Sequence, residues 1–317
     1  MQLLRLLADG RFHSGEELGN LLGVSRSAVW KQLQQLQTEN GVRLHKLRGK
    51  GYRLEQPLSL LSGELLAERR PDLRLFLEER VDSTNAVALR LLPDSEPPFL
   101  VMAEAQTAGR GRRGRQWVSP YGENLYFSLV IRIERSATQL QALSLVVGLA
   151  VLNTLRQMGV AQVGLKWPND LLVGRKKIAG ILLELNGDPA DTCHVVIGIG
   201  VNANMLAVEG VDQDWTSMRL EAGRLVDRNE LAVSLLEQLE RLLTLHRENG
   251  FAAFHHEWET NHLWQGCPVR LISGVHEIAG TVLGVTADGA LRLRRDADGS
   301  EQVYSGGELS LRLRHDS

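Results

Sequence analysis

The sequence has few cysteines and no long apolar run, and both absences narrow the class of protein. Its two cysteines, Cys193 and Cys267, have no second cysteine nearby, which excludes a CxxC metal knuckle and a disulfide framework. No run of about 18 apolar residues is present, and the amino terminus does not combine a basic segment, an apolar stretch and a cleavage site. We therefore expect a cytoplasmic protein with reduced thiols and no membrane partner.

Length and composition indicate a globular chain of more than one domain. The 317 residues are 43% hydrophobic, and this length suggests two domains, or three if some are small. The net charge is −2, yet residues 1–53 hold nine Arg or Lys against four Asp or Glu. This local excess of positive charge indicates a polyanionic partner for the first segment.

The amino-terminal segment carries the pattern of a winged helix-turn-helix. Residues 14–17 match a capping box, and the leucine-faced helix that they start breaks at Gly23. Ser25 can cap a second helix with apolar residues at helical spacing. Two short strands, 42–47 and 52–54, then enclose a glycine-flanked basic tip, which is a wing. The alternative is a helical hairpin that only packs on the rest of the chain, and the charge and the wing argue against it.

A winged helix-turn-helix places its second helix in a major groove and its wing on phosphates or in the neighbouring minor groove. The strand pattern ends at residues 56–58, because a proline cannot continue a ladder, and we place the first domain boundary after residue 60. We predict that DNA is contacted by Ser25, Arg26, Ser27, Lys31, Arg48 and Lys50.

A short segment rich in arginine and glycine follows a strand-like run at 99–103. Residues 109–115 contain four arginines and three glycines. Glycine lets the backbone approach a phosphate closely, and arginine donates to phosphate and carboxylate oxygens, so the segment is suited to clamp an anion. A basic linker or a nucleic-acid tail is the alternative, which the flanking apolar strands disfavour. The segment matches neither a phosphate loop nor a dinucleotide-binding turn.

Three further segments combine apolar strands with polar residues or glycines. Residues 166–170, KWPND, lie between short apolar segments, and a turn then leads into a strand at 177–185 with Lys177 at its start. A polar turn and a solvated strand-end lysine are the simpler interpretations of these two features. A third apolar strand at 195–202 contains glycines that indicate close approach of another group to the backbone.

Taken together, these residues resemble a known family. In chain order they are Ser83-Thr84-Asn85, Gln106, GRGRRG at 109–114, KWPND at 166–170, KKIAG at 176–180 and GIGVN at 198–202. The set resembles the biotin protein ligases over essentially the whole chain. With the winged helix in front, the chain is similar to the bifunctional subgroup, the biotin operon repressors.

The resemblance implies an α+β fold in three parts. A winged helix-turn-helix precedes a central mixed β-sheet with helices, of the class II synthetase-like biotin/lipoyl ligase type, and a small SH3-like β-barrel ends the chain. The expected domains are residues 1–60, 61–265 and 266–317. Short strands separated by turn residues in the last segment agree with a barrel, at 269–272, 278–282, 290–293 and 302–304. Residues 229–250 have the pattern of an amphipathic helix before it.

The resemblance also implies two activities. The first is ATP-dependent transfer of biotin, through biotinyl-5′-AMP, to a lysine of the biotin carboxyl carrier protein of acetyl-CoA carboxylase. Mg²⁺ would accompany ATP without dedicated protein ligands. The second is repression at the operator DNA of biotin genes, with biotinyl-5′-AMP as corepressor and a homodimer as the adenylate-bound form.

Matching positions imply the roles of individual residues. The catalytic set is Lys177, Arg110, Arg112 and Asp170, because anionic charge develops in both steps; Asp170 either orients the acceptor amine or helps to hold metal and adenylate. The biotin-binding set is Ser83, Thr84, Asn85, Gln106, Arg110, Gly111, Arg112, Lys177 and Gly180. The adenylate-binding set is Arg112, Arg115, Trp117, Lys166, Asn169, Asn202 and Trp215.

The sequence leaves two other functions open, and it departs from the family pattern at one position. A ligand-sensing transcription factor without chemistry would not need Lys177 and the arginine-glycine segment. A lipoate or octanoate enzyme of the same superfamily would not usually carry the winged helix and the barrel. Trp30 lies in the second helix where a smaller or polar residue is expected, so the operator sequence that it reads can differ from that of relatives.

Overall fold

The amino-terminal part of the protein is a winged helix. A computed structural model describes residues 2–134, 140, 142–188, 191–273, 275–306 and 309–314. The first elements are α1 (Gln2–Leu7), α2 (Gly15–Leu22), α3 (Arg26–Asn40) and the antiparallel hairpin of β1 (Leu44–Leu47) and β2 (Gly51–Leu54). The capping box at Ser14 and Glu17 is formed, and Gly23 ends α2 in the left-handed conformation. The structure adds α1, whose leucines complete a separate small core with Leu18, Val29 and Leu33.

A seven-stranded mixed sheet forms the centre of the molecule. Its strands are β3 (Arg74–Val81), β4 (Phe99–Gln106), β5 (Leu125–Glu134), β6 (Val163–Lys166), β7 (Asp170–Val173), β8 (Lys176–Gly187) and β9 (Thr192–Val201). They lie in the order β3-β4-β5-β9-β8-β7-β6, and only the β3 and β4 pair is parallel. The helices around this sheet are α4 (Gly63–Arg69), α5 (Thr84–Leu91), α6 (Leu143–Gln157), α7 (Met218–Ala222), α8 (Arg228–Asn249) and α9 (His255–Asn261).

Alternation along the strands divides the core into two layers. Phe99 and Val101 pack with Ala88 of α5, whereas Leu100 and Met102 belong to the large core that α6 and α8 cover. This is the period-two alternation of a strand buried on both faces. Strand β4 runs three residues further than the apolar run at 99–103, because backbone pairing with β3 continues past the buried Glu104 to Gln106.

The carboxy-terminal part is a five-stranded antiparallel sheet. Its strands are β10 (Pro268–Ser273), β11 (His276–Val285), β12 (Leu291–Arg295), β13 (Glu301–Tyr304) and β14 (Ser310–Leu313), in the order β13-β12-β11-β10-β14. Strand β14 is an addition to the four predicted strands. The inner residues of this sheet join the core of the central sheet. The expected α+β architecture is therefore confirmed, and among the described residues no helix is long and apolar enough to cross a bilayer.

Candidate functional site

A cavity of about 330 Å³ opens beside the central sheet, between the start of α5, the 109–115 loop and strands β8 and β9. Its size is that of a small-molecule pocket. Most of the residues predicted for substrate binding and catalysis line it: Ser83, Thr84, Asn85, Gln106, Arg110, Gly111, Arg112, Arg115, Trp117, Lys166, Asn169, Asp170, Lys177 and Gly180. The structure thus collects residues from five separate segments of the chain around one space.

One end of the cavity is built from uncharged polar groups. Gln106 Oε1 accepts from the backbone N–H of Thr84 at 2.9 Å, and Gln106 Nε2 donates to Ser119 Oγ at 2.9 Å. Ser128 Oγ lies 2.7 Å from Thr84 Oγ1 and 2.6 Å from Asn85 Oδ1. Because these side chains hold each other in place, this end offers fixed donors and acceptors to a neutral polar ligand group.

Two glycines of β9 let bulky groups lie directly on the sheet. A Cβ atom at Gly198 would lie 2.3 Å from Asn85 Oδ1, and one at Gly200 would lie 2.5 Å from Cε2 of Trp117. Both distances are far below van der Waals contact, so a side chain at either position would displace its neighbour. The glycines at 198 and 200 therefore have the close-approach role that their place in an apolar strand indicated.

The opposite end of the cavity carries a cluster of charges. Lys177 Nζ lies 2.7 Å from Asp170 Oδ1, and Lys166 Nζ lies 3.7 Å from Asp170 Oδ2. Burial alone would raise the pKa of Asp170, but the two ammonium groups hold that pKa below its usual value. Burial lowers the pKa of Lys166, although Asp170 opposes that shift. Asp170 is therefore an anion, and it is the shared partner of the two lysines.

A β-bulge aims Lys177 at this cluster. On β7 and β8, Leu171 pairs with Ala179 but Leu172 pairs with Lys177, which leaves Ile178 as the extra residue. The backbone of Lys177 is held from the other side, since its N–H donates to the backbone carbonyl of Asp214 at 2.9 Å and its carbonyl accepts from the backbone N–H of Thr216 at 2.9 Å. Bulges re-aim side chains near active sites, and here the bulge turns the lysine into the cavity while Ile178 is buried.

Two arginines anchor the 109–115 loop on opposite sides. Arg112 donates to Asn169 Oδ1 at 2.9 Å and to the Gly306 carbonyl at 2.6 Å. Arg110 Nη2 donates to Glu184 Oε2 at 2.9 Å. Burial lowers the pKa of Arg112, with Asp170 acting in the opposite direction. The loop is thus tied to the 166–170 turn, to the carboxy-terminal sheet and to β8.

Two predicted adenylate residues lie outside this cavity. Asn202 and Trp215 line a smaller adjoining space of about 50 Å³, of which Trp117 and Lys177 are also part. Asn202 is buried, and its Nδ2 donates to the Thr216 carbonyl at 3.0 Å. The structure therefore places Asn202 and Trp215 in a space beside the main cavity, and Trp117 and Lys177 are among the residues that line both.

Sequence reasoning missed several residues that contact the side chains lining the cavity. Ser128 and Glu184 each stand as a polar residue in an apolar strand, and that contrast could have identified them. The backbone carbonyl of Gly306 has no residue-type signature, so its contact with Arg112 could not be predicted. Among the described residues, no group of three or more His, Cys, Asp or Glu side chains is arranged to hold a metal ion.

The second predicted site lies on the winged helix. Arg26, Ser27, Lys31, Arg48 and Lys50 are exposed. Ser25 is exposed as well, and its Oγ caps α3 by accepting from the backbone N–H of residue 28 at 3.2 Å. Because α3 and the wing tip both expose basic side chains, they have the charge needed to contact a nucleic-acid backbone.

Family models match three parts of the chain. The Biotin/lipoate A/B protein ligase family model matches residues 77–202, an HTH domain model matches residues 1–53, and the biotin protein ligase C-terminal domain model matches residues 266–312. These matches coincide with the central sheet, the winged helix and the carboxy-terminal sheet.

Whole-chain relatives and solved structures agree with these matches. The bifunctional ligase/repressor BirA of Escherichia coli K12 is 41% identical over 98% of this chain and 97% of its own length. The bifunctional ligase/repressor BirA of Bacillus subtilis 168 is 31% identical over 94% of each chain. The structure of the Aquifex aeolicus biotin protein ligase in complex with biotin and ATP is similar with a TM-score of 0.66 and 31% identity, over 76% of this chain and 99% of that one.

Proposed function

The chain belongs to the family of bifunctional biotin protein ligase/repressors, and from that premise we propose that it attaches biotin to the biotin carboxyl carrier protein of acetyl-CoA carboxylase. The observation that carries the proposal is the division of the cavity into two ends. The neutral network around Gln106 suits the ureido ring of biotin, and the charges around Lys177 suit a carboxylate and a phosphate. We place this biotin transfer in the cytoplasm, where ATP and the carrier protein are found.

The first step forms biotinyl-5′-AMP. A carboxylate oxygen of biotin attacks the α-phosphorus of ATP, the bond to the β-phosphate oxygen breaks, and pyrophosphate leaves. Lys177, Arg110 and Arg112 stabilise the negative charge that builds on the carboxylate and phosphate oxygens. Ser83, Thr84, Asn85 and Gln106, together with Gly111 and Gly180 of the cavity wall, hold the biotin rings. Arg115, Trp117, Lys166 and Asn169 hold the nucleotide, with Asn202 and Trp215 supporting its wall.

The second step transfers the acyl group. The acceptor lysine amine attacks the acyl carbon, the bond to the phosphate oxygen breaks, AMP leaves and the amine loses a proton. Asp170 suits this step as a hydrogen-bond acceptor for the amine, because the neighbouring lysines keep its carboxylate ionised. This is the role that we favour over direct metal binding.

Mg²⁺ is proposed to enter with ATP and to be held chiefly by the phosphates, where it would neutralise charge. Asp170 is the carboxylate of the lysine cluster, and both of its oxygens already face lysines. The donor set that this chain presents to the phosphates is therefore cationic, consisting of arginine and lysine side chains.

The regulatory half of the proposal assigns operator binding to the winged helix. We place the domains at residues 1–60, 61–265 and 266–317, with the homodimer as the DNA-binding form. Ser25, Arg26, Ser27 and Lys31 would face the major groove, and Arg48 and Lys50 the flanking backbone. A single winged helix makes few phosphate contacts, so two half-sites in a dimer are needed for affinity. Biotinyl-5′-AMP is proposed to favour that dimer, and transfer of biotin to the carrier to loosen it.

The decisive experiment for the enzyme is a mass measurement. The chain is incubated with ATP, Mg²⁺, biotin and a biotin carrier domain, and the carrier is expected to gain one biotinyl group. No gain would leave a ligand sensor, and a gain with lipoate alone would make it a lipoyl enzyme. For the repressor, sedimentation and operator binding are measured with and without biotinyl-5′-AMP on a promoter fragment of a biotin synthesis operon. Equal dimerisation and equal DNA affinity in both states would refute the coupling.

A further inference from the structure

Glu184 joins a residue of the neutral end of the cavity to a residue of the 109–115 loop. Its Oε2 atom accepts from Asn85 Nδ2 at 2.8 Å and from Arg110 Nη2 at 2.9 Å. Asn85 and Arg110 line the cavity itself, whereas Glu184 lies in the outer groove of which Arg110 is also part. One carboxylate oxygen is therefore the common partner of two residues that come from distant segments of the chain.

Strand β8 sets this position. Side chains alternate along a strand, so Gly180, Leu182 and Glu184 lie on the face that bears the cavity. The backbone of β8 contacts Asn85 as well, since the Leu182 carbonyl accepts from Asn85 Nδ2 at 3.3 Å. The side chain of Glu184 is 23% exposed, so it is partly shielded from water while it still reaches the groove.

The two contacts have different consequences. Asn85 donates to Glu184 and accepts from Ser128 at 2.6 Å, which fixes which side of its amide faces each neighbour. Arg110 commits Nη2 to Glu184, which leaves the other donors of its planar guanidinium pointing in a defined direction. Glu184 is absent from the lining of the main cavity and lies in the outer groove, so we expect its effect on the reaction to pass through these two residues.

We propose that Glu184 is a positioning residue that holds Asn85 for biotin recognition and Arg110 for the adenylation step. The inference rests on the proposed ligase function and deepens it. A neutral glutamine keeps an acceptor for Asn85 but loses the charge that holds Arg110, whereas alanine loses both contacts. Glu184→Gln and Glu184→Ala therefore separate the two roles.

The test measures pyrophosphate release at saturating ATP over a range of biotin concentrations. Glu184→Gln is expected to lower kcat about tenfold with little change in the KM for biotin. The loss is smaller than that for removal of an electrostatic group, because Arg110 is displaced but still present. Glu184→Ala is expected to lower kcat equally and also to raise the KM for biotin about tenfold, through Asn85. Glu68→Gln, which changes an exposed glutamate on α4, is the matched control and should leave both constants unchanged.

A second comparison tests whether the effect on kcat passes through Arg110. In an Arg110→Ala background, Glu184→Gln should cost less than a further twofold. Thermal unfolding of every variant shows that the fold is kept. A kcat for Glu184→Gln within twofold of the parent, or the same loss in both backgrounds, would overturn the inference alone. A parent chain that forms no pyrophosphate with biotin would instead overturn the proposed ligase function and the inference with it.

Discussion

Lys177 Nζ lies 2.7 Å from Asp170 Oδ1 and 5.3 Å from the ring centroid of Trp117. The ammonium group of the lysine is thus held between an anion and an aromatic face, both of which attract a cation. Since Asp170 also faces Lys166 at 3.7 Å, loss of the Lys177 charge leaves the carboxylate with one weaker partner.

We expect Lys177→Ala to lower the rate of biotinyl-adenylate formation by about 10²- to 10³-fold, the usual effect of removing one preorganised electrostatic group. Pyrophosphate release is the measurement. Lys176→Ala changes the adjacent, exposed lysine and should retain the parent rate. Thermal unfolding shows whether both variants are folded. If they are, a Lys177→Ala rate near that of the control would show that this ammonium group has no catalytic role.

Arg112→Gly is expected to shorten the retention of biotinyl-5′-AMP by at least about tenfold, because it removes charged hydrogen bonds that anchor the loop to Asn169 and the Gly306 carbonyl. The release of labelled adenylate after gel filtration measures this. Arg113→Gly is the matched control, since Arg113 is exposed and has φ 59, which glycine adopts freely. Equal release rates for the two variants would contradict an anchoring role for Arg112.

Gly198→Ala is expected to raise the KM for biotin at least about tenfold, because the new Cβ would lie 2.3 Å from Asn85 Oδ1 and force that side chain away from its partners. The KM for ATP should change much less. Gly63→Ala adds a Cβ in ordinary contact, 3.7 Å from Leu77, and serves as the control. If Gly198→Ala binds biotin as the parent does, Asn85 is not part of the biotin pocket.

The features of the fold that the sequence predicted are those with a local physical cause. The capping box at Ser14 and the strand formed by the apolar run at 99–103 depend on neighbours within a few residues, and both are found in the structure. The same holds for the glycines at 198 and 200, whose lack of a side chain is itself the signal of close approach.

The missed features depend on contacts between distant segments. The bulge at Ile178 follows from backbone bonds of Lys177 to residues 214 and 216, which no local pattern records. Strand β14 is short, and its pairing with β10 supplies its stability.

A pH dependence is expected in the winged helix. His13 Nδ1 lies 3.1 Å from Glu17 Oε1, and Nε2 lies 3.1 Å from Asp9 Oδ1. Burial opposes protonation, but the hydrogen bonds that His13 donates to the carboxylates of Asp9 and Glu17 raise the pKa of His13 above its usual value. A raised folded-state pKa means that this stabilisation is complete below about pH 6.5 and is lost as the pH rises through the raised pKa.

Amide hydrogen exchange in α2 should therefore quicken as the pH rises through that range, beyond its intrinsic pH dependence. His13→Gln should remove the extra dependence. His276→Gln, which changes an exposed histidine of the carboxy-terminal sheet, should keep it. An identical profile for His13→Gln and the parent would exclude the carboxylate-bound proton as its source.

The last prediction concerns the bases that α3 reads. Trp30 is 50% exposed on the helix that carries Arg26, Ser27 and Lys31. An indole offers a large apolar face and a single N–H donor. Among the major-groove edges, the thymine methyl group is the apolar feature that such a face can contact. We therefore expect Trp30 to select a thymine within each half-site.

Selection of duplexes from a random pool, with the adenylate-bound parent and with Trp30→Ala, should yield a half-site in which one thymine is required only by the parent. Replacing that thymine with uracil removes the methyl group and should weaken binding by the parent about fourfold, the worth of one buried methyl group. The same replacement should leave Trp30→Ala unaffected. Lys50→Ala is the contrasting variant, because loss of a phosphate contact weakens all duplexes alike and lowers the salt dependence. A parent that selects duplexes but tolerates uracil at every position would remove Trp30 from base recognition while leaving the winged helix as the DNA-binding domain.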